Sequence, residues 1–222
     1  MTWKQVFTSS VGKKLVMGLT GIFLILFLMV HAGLNACIWA GDGGEMFNKG
    51  AHFMGNNWVP RILELGLFAG ILLHIIQGFL LTVENRKKRT IGYEVSYNEG
   101  SKWYSRSMGL LGTLILLFLV LHLSHFWLPN RSNQGFLLGE EINLYKKMKL
   151  EFSVLWVVIV YVVGCISLGY HLAHGFQSAF RTLGVHNRRY NTMLISLGYG
   201  FAIIISLLFA LMPVSFYLGW VE

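Results

Sequence analysis

Charged positions are sparse along this chain and fall at intervals, leaving five long stretches in which nearly every residue is apolar. They run from about Leu15 to Ala40, Trp58 to Val83, Ser107 to Leu128, Phe152 to Phe180 and Thr192 to Leu218. At 1.5 Å per residue, an α-helix of ~20 residues covers the ~30 Å hydrocarbon core of a bilayer, and each stretch reaches that length. The connections Gly41 to Asn57, Glu84 to Arg106 and Pro129 to Glu151 are too short for a second globular domain. Residues 1–222 are therefore expected to form one all-α integral membrane domain of five transmembrane helices. Lys13 and Lys14 precede the first stretch as they would in a secretory signal. That stretch runs well past the ~7 to 15 apolar residues of such a signal and has no small-residue cleavage site, so it is expected to be retained.

Composition agrees: 55% of the 222 residues are hydrophobic and 13% are charged. The formal net charge of +8 would suit nucleic acid if it formed one patch, but the basic residues cluster at alternate helix ends. With the N-terminus inside, twelve Lys and Arg fall on the cytoplasmic side: Lys4, Lys13, Lys14, Arg86, Lys87, Lys88, Arg89, Lys102, Arg106, Arg181, Arg188 and Arg189. Six fall outside: Lys49, Arg61, Arg131, Lys146, Lys147 and Lys149. An excess of cations inside predicts a cytoplasmic N-terminus and an external C-terminus. What charge remains can meet anionic lipid or a cytoplasmic partner, and no nucleic acid is expected. Only Cys37 and Cys165 are present, too few for a disulfide framework or a thiolate cluster site, so any iron-sulfur chemistry belongs to a partner.

Four of the five stretches carry a histidine deep inside: His31, His74, His122 and His171. An ionisable side chain in hydrocarbon is costly and calls for a reason. Counted from the nearest cytoplasmic basic residue, His31 lies ~26 Å and His122 ~24 Å deep, while His74 lies ~18 Å and His171 ~15 Å deep. The histidines thus fall into two tiers. A six-coordinate haem iron takes two imidazoles at nearly equal height, and opposite corners of a four-helix core can supply them. The expected pairs are His74 with His171 on the cytoplasmic side and His31 with His122 on the outer side. His125 and His174 lie one turn from His122 and His171 on the same helical face, and stay open as alternates. A lone buried histidine is ordinarily a hydrogen-bonded packing residue. Four of them, one per helix and matched in depth, point instead to ligation. A proton relay would mix carboxylates among them, whereas Glu64 is nearly the only acid in the spans. His52 and His186 lie in connections, where solvated side chains are expected.

The segments His74-Ile75-Ile76-Gln77-Gly78-Phe79 and His171-Leu172-Ala173-His174-Gly175-Phe176 share the pattern H-x-x-x-G-F. Gly78 and Gly175, one turn from the inner pair, would give a flat macrocycle room; they are equally explained by close helix packing.

The run Glu45-Met46-Phe47-Asn48-Lys49-Gly50-Ala51-His52-Phe53-Met54, then Arg61-Ile62-Leu63-Glu64 and His74-x-x-x-Gly78, closely resembles the cytochrome b membrane anchor of type B succinate:quinone oxidoreductases. The resemblance extends through His171-x-x-x-Gly175 and Gly184 over nearly the whole chain, and the related quinol:fumarate reductases share the architecture. It implies axial ligands at His31, His74, His122 and His171, two haem b groups, and a multi-pass subunit of the bacterial cytoplasmic membrane. It also implies a flavoprotein and an iron-sulfur partner on the cytoplasmic side, carrying FAD and iron-sulfur clusters. Electrons would pass from succinate through those partners to the inner haem, the outer haem and a quinone, with menaquinone expected. No Gly-rich dinucleotide motif occurs in this chain, so FAD is expected only in the partner.

The quinone is expected near the outer pair, against the outer ends of the first two helices, with Glu64 a candidate proton relay about 15 Å outward from His74. Arg61, three residues earlier, offers the competing explanation of a surface ion pair. Trp39 and Trp58 suit the membrane interface better than a quinone pocket. Rival functions are the dihaem anchor of another dehydrogenase or a hydrogenase, and a small transporter or assembly subunit without cofactors.

Overall fold

The computed structural model describes residues 2, 7–87, 103–134, 142–185, 187 and 189–221. Of the residues named above, Lys4, Lys88, Arg89, Lys102, His186 and Arg188 lie outside the described residues. The described residues form helices and turns with no strand. The long helices are α1 (Ser10–Ala36), α3 (Trp58–Lys87), α4 (Met108–His122), α6 (Leu155–Thr182) and α7 (Asn191–Tyr217); two shorter ones are α2 (Glu45–Asn56) and α5 (Leu144–Glu151). Five helical segments, with α4 extended to Ser132, are long and apolar enough to cross a membrane. Their outward faces carry exposed Leu26, Leu65, Leu72, Phe79, Leu117 and Ile203. Such a surface suits contact with lipid, where apolar side chains carry no hydration cost.

Helix ends differ from the apolar runs by up to about a turn, because caps set them. The Ser9 hydroxyl oxygen accepts the Gly12 N–H at 3.0 Å, so α1 begins at Ser10, before the two lysines. Lys13 is consequently inside the helix, buried and ion-paired to Glu84 of α3. After α1 and the tight turn Cys37–Trp39, Gly41, Gly43 and Gly44 take positive φ. At Gly44 a Cβ would run into the Tyr145 ring, so this turn needs glycine for space as well as for backbone conformation. Asp42 holds it, accepting the N–H groups of Gly44 at 3.0 Å and Met46 at 2.8 Å.

The third span departs most from a plain helix. After His122 the chain makes a π-helical turn, Leu123–Trp127, and runs on as helix through Gln134. The Leu128 N–H reaches back to the Leu123 carbonyl, five residues away. Pro129 follows directly: it has no N–H to offer the His125 carbonyl, and a widened turn relieves the clash its ring would make there.

Helices α1, α3, α4 and α6 close a ring in which α1 packs on α3, α3 on α4, α4 on α6 and α6 on α1; α7 lies outside, chiefly against α6. The diagonals α1–α4 and α3–α6 are not among the substantial helix contacts. One end of the bundle, called here the near end, holds the starts of α1, α4 and α7 and the ends of α3 and α6. Over the far end lie α2 and α5, joined by Asn48 Nδ2 donating to Asn143 Oδ1 at 3.2 Å and by the Phe47 and Tyr145 rings, 6.5 Å apart. A buried cluster that includes Ile38, Phe47, Tyr145, Met148, Phe152 and Phe216 seals this end.

Candidate functional site: two histidine pairs across the ring

Each diagonal of the ring is bridged by two imidazoles. On α1 and α4, His31 and His122 place their ring centres 5.8 Å apart with planes at 89°. On α3 and α6, His74 and His171 place theirs 6.2 Å apart at 68°. The four residues that depth singled out therefore meet two by two, in the pairing expected. Counting along α1, His31 lies ten residues beyond Gly21, whose Cβ position is 3.7 Å from His74 Cε1. On α4, His122 likewise lies ten residues beyond Gly112, whose Cβ position is 4.0 Å from His171 Cε1. Ten residues are about 15 Å of helix, so the tiers stand further apart than the roughly 8 to 9 Å between the depths counted from the basic residues, because those residues do not lie at one level.

Gly21 and Gly112 were missed by sequence reasoning, although the repeated spacing Gly-x9-His on two helices was there to be seen. Of the glycines that were singled out, Gly175 faces open space, with nothing within 4 Å of a Cβ built there. Gly78 meets Met17 Cε of α1 at 3.2 Å, so at that position the packing explanation holds.

The surroundings of the two pairs differ. The far pair sits among rings: Phe27 stacks on His31 at 5.2 Å, Phe118 on His122 at 5.7 Å, and Phe209, Phe126 and Tyr161 lie 5.6, 5.6 and 6.1 Å from the nearer histidine. Those side chains exclude water. The near pair has polar company: Thr20 Oγ1 lies 3.1 Å from His74 Nδ1, and Gln77, one turn on from His74, is buried with its Oε1 unpartnered. His122 Nδ1 and His171 Nδ1 are likewise buried without a hydrogen-bond partner among the described residues. Buried polar atoms left this way are uncommon and call for a ligand, a water or a role.

The one-turn alternates go elsewhere. His125 stacks on Tyr161, ring centres 5.8 Å apart and planes 8° apart, with its Nδ1 3.1 Å from the Tyr161 hydroxyl and 3.9 Å from Glu151 Oε2. The π turn is responsible, because an extra residue in the turn swings His125 off the face that His122 occupies. The ring facing His74 is that of His171, and His174 is half-buried one turn nearer the membrane end.

Glu64 lies at the far end of α3, with both oxygens engaged. Trp127 Nε1 donates to Oε1 at 2.5 Å and Arg131 Nε at 3.1 Å, while Arg131 Nη2 bonds Oε2; Arg61 Nη1 stands further off at 3.7 Å. The surface pair expected with Arg61 is thus the weaker part of a cluster whose main cation comes from the continuation of α4. Trp39 donates Nε1 to Ser215 Oγ at 3.0 Å, and Trp58 is exposed.

Among the described residues no group of three or more His, Cys, Asp or Glu converges on a point that would hold a metal ion. A haem needs fewer, since its own ring supplies four donors and the protein adds two axial ones. Compared with protein-family models, with curated proteins and with solved structures, the chain matches none.

Proposed function

We propose that this chain is the dihaem cytochrome b membrane anchor of a succinate:quinone oxidoreductase of type B, conducting electrons between an iron-sulfur partner and a quinone. The observation that carries the reading is the pair of imidazole bridges across the two diagonals of one four-helix ring. Two imidazole nitrogens bound to one metal at about 2.0 Å each leave their ring centres about 6 Å apart, close to both pairs. Glycine against His74 and His171, open space at Gly175 and unpartnered Nδ1 atoms on His122 and His171 fit the same use. Haem b bound at each pair would supply one-electron transfer.

The protein's own part in this reading is to hold, shield and connect. His74 and His171 would fix the inner group, and His31 and His122 the outer one. The phenyl rings around the far pair keep that site dry, which strengthens every electrostatic interaction within it. The near end, with exposed Lys14, Arg86, Lys87, Arg181 and Arg189, would face the cytoplasm and receive the iron-sulfur and flavoprotein partners. Menaquinone would react at the far side, near His31 and His122. Glu64 stays a candidate for proton exchange there, although its oxygens already accept from Trp127 and Arg131.

The visible absorption spectrum of the purified protein tests the reading, with two low-spin haems per chain expected. His74→Ala or His171→Ala should remove one, His31→Ala or His122→Ala the other, and His125→Ala and His174→Ala neither. A chain without haem absorption would exclude this function and favour a transporter or assembly role.

A further inference from the structure

We infer that Thr20 is a positioning residue for His74: its hydroxyl oxygen accepts the Nδ1 proton, fixing the imidazole tautomer and its rotation so that Nε2 presents the lone pair. This rests on the dihaem reading and adds to it a residue that is not a ligand. Thr20 Oγ1 lies 2.8 Å from the Val16 carbonyl, 3.2 Å from the Met17 carbonyl and 3.1 Å from His74 Nδ1. A hydroxyl has one proton to give. The carbonyls can only accept and Val16 is the nearest, so the proton goes there and the oxygen's lone pairs are left for His74. Nδ1 must then be the donor, and the free lone pair belongs to Nε2. Gly21, the next residue on α1, lets the helix back the ring closely, its Cβ position 3.7 Å from Cε1.

The other inward histidines have no such support among the described residues. His122 Nδ1 and His171 Nδ1 are unpartnered. The His31 Nδ1 neighbour is the Asn35 amide nitrogen at 3.5 Å, which also donates to the His31 carbonyl at 2.8 Å and, being a donor, offers no acceptor for an Nδ1 proton. Thr20 therefore distinguishes one ligand position out of four. An acceptor behind an imidazole raises its basicity toward a metal and locks its orientation. A more basic ligand stabilises oxidised over reduced iron, so removing the acceptor should raise the midpoint potential of the haem held by His74 and leave the other unchanged.

The test is redox titration with visible spectroscopy of the full chain carrying Thr20→Val, which keeps shape and drops the acceptor, and Thr20→Ser, which keeps the hydroxyl. The band absent from His74→Ala identifies the relevant haem. We expect Thr20→Val to shift that midpoint upward and broaden the low-spin electron paramagnetic resonance signal of the same haem, while Thr20→Ser matches wild type. Two haems with unmoved midpoints in Thr20→Val, or equal shifts in both variants, would overturn the inference and leave the dihaem reading standing. Should Thr20→Val lose the haem altogether, retention at the wild-type midpoint in Thr20→Ser supports the role of the hydroxyl, and loss there too overturns it. Absence of haem from the wild-type chain would instead remove the dihaem reading itself.

Discussion

Glu64 shows how a residue can be found by sequence while its circumstances are not. A carboxylate in an apolar run is conspicuous, and Arg61 three residues away is the partner that helical spacing offers. The stronger partners, Trp127 and Arg131, lie more than sixty positions along the chain and reach Glu64 only because α4 continues past its apolar stretch. This arrangement separates two roles by experiment. Glu64→Ala leaves Arg131 only 17% exposed without its carboxylate, and should cost about 1–3 kcal/mol in a thermal or denaturant melt. Glu64→Gln keeps an acceptor for both donors but cannot carry a proton at neutral pH. If Glu64 exchanges protons with the quinone, the glutamine variant should retain both haems and their reduction by succinate while quinone turnover falls at least tenfold. Unchanged turnover would leave Glu64 with only its structural part.

At the scale of elements, the five spans were legible because their apolar runs are longer than any soluble core requires. The helices α2 and α5 were not. They are short and rich in polar residues, and their apolar side chains, Phe47, Tyr145 and Met148, are buried only in the assembled far end, which no local pattern reports. The π turn was also missed, although Pro129 marks where a regular helix must adjust. It leaves the ring of His122 facing His31 and that of His125 against Tyr161, two positions that a ruler of 1.5 Å per residue did not separate. The widened turn absorbs its extra residue, so Trp127 and Arg131 stay turned toward α3. Deleting Ser124, whose hydroxyl bonds the Leu121 carbonyl within its own helix, should restore a regular turn and leave everything beyond it on the same face, because the turn then closes with one residue fewer. Cysteines placed at positions 64 and 131 should then crosslink both with and without Ser124. Loss of the crosslink in the deletion variant would show that the widened turn does not absorb the extra residue.

At the scale of the whole molecule, the two ends of the bundle differ in how their cations are employed. At the far end Lys49 pairs with Glu45, Lys147 with Glu151, and Arg61 and Arg131 with Glu64, while Lys146 and Lys149 are exposed. At the near end Glu84 is taken by buried Lys13, while Lys14, Arg86, Lys87, Arg181 and Arg189 all present exposed side chains. Simple counting of Lys and Arg saw the asymmetry in number; the pairing, which depends on contacts between helices, sharpens it. Exposed positive charge at the near end would favour its retention on the cytoplasmic side and offer a surface for an acidic partner. Orientation and docking should therefore stand or fall together. Arg86 and Lys87 lie twelve and thirteen residues along α3 from His74, so replacing both with Gln should leave unchanged the haem spectrum that the dihaem reading expects. Association with the proposed iron-sulfur partner should weaken, most visibly at low ionic strength, where exposed charges act over a Debye length of about 10 Å or more. Pull-down of the partner across a salt series, with crosslinking to map the contact, measures both effects. Crosslinks confined to α2 and α5, with salt-independent association in the double variant, would turn the molecule over in the membrane and place the iron-sulfur partner beside His31 and His122 instead.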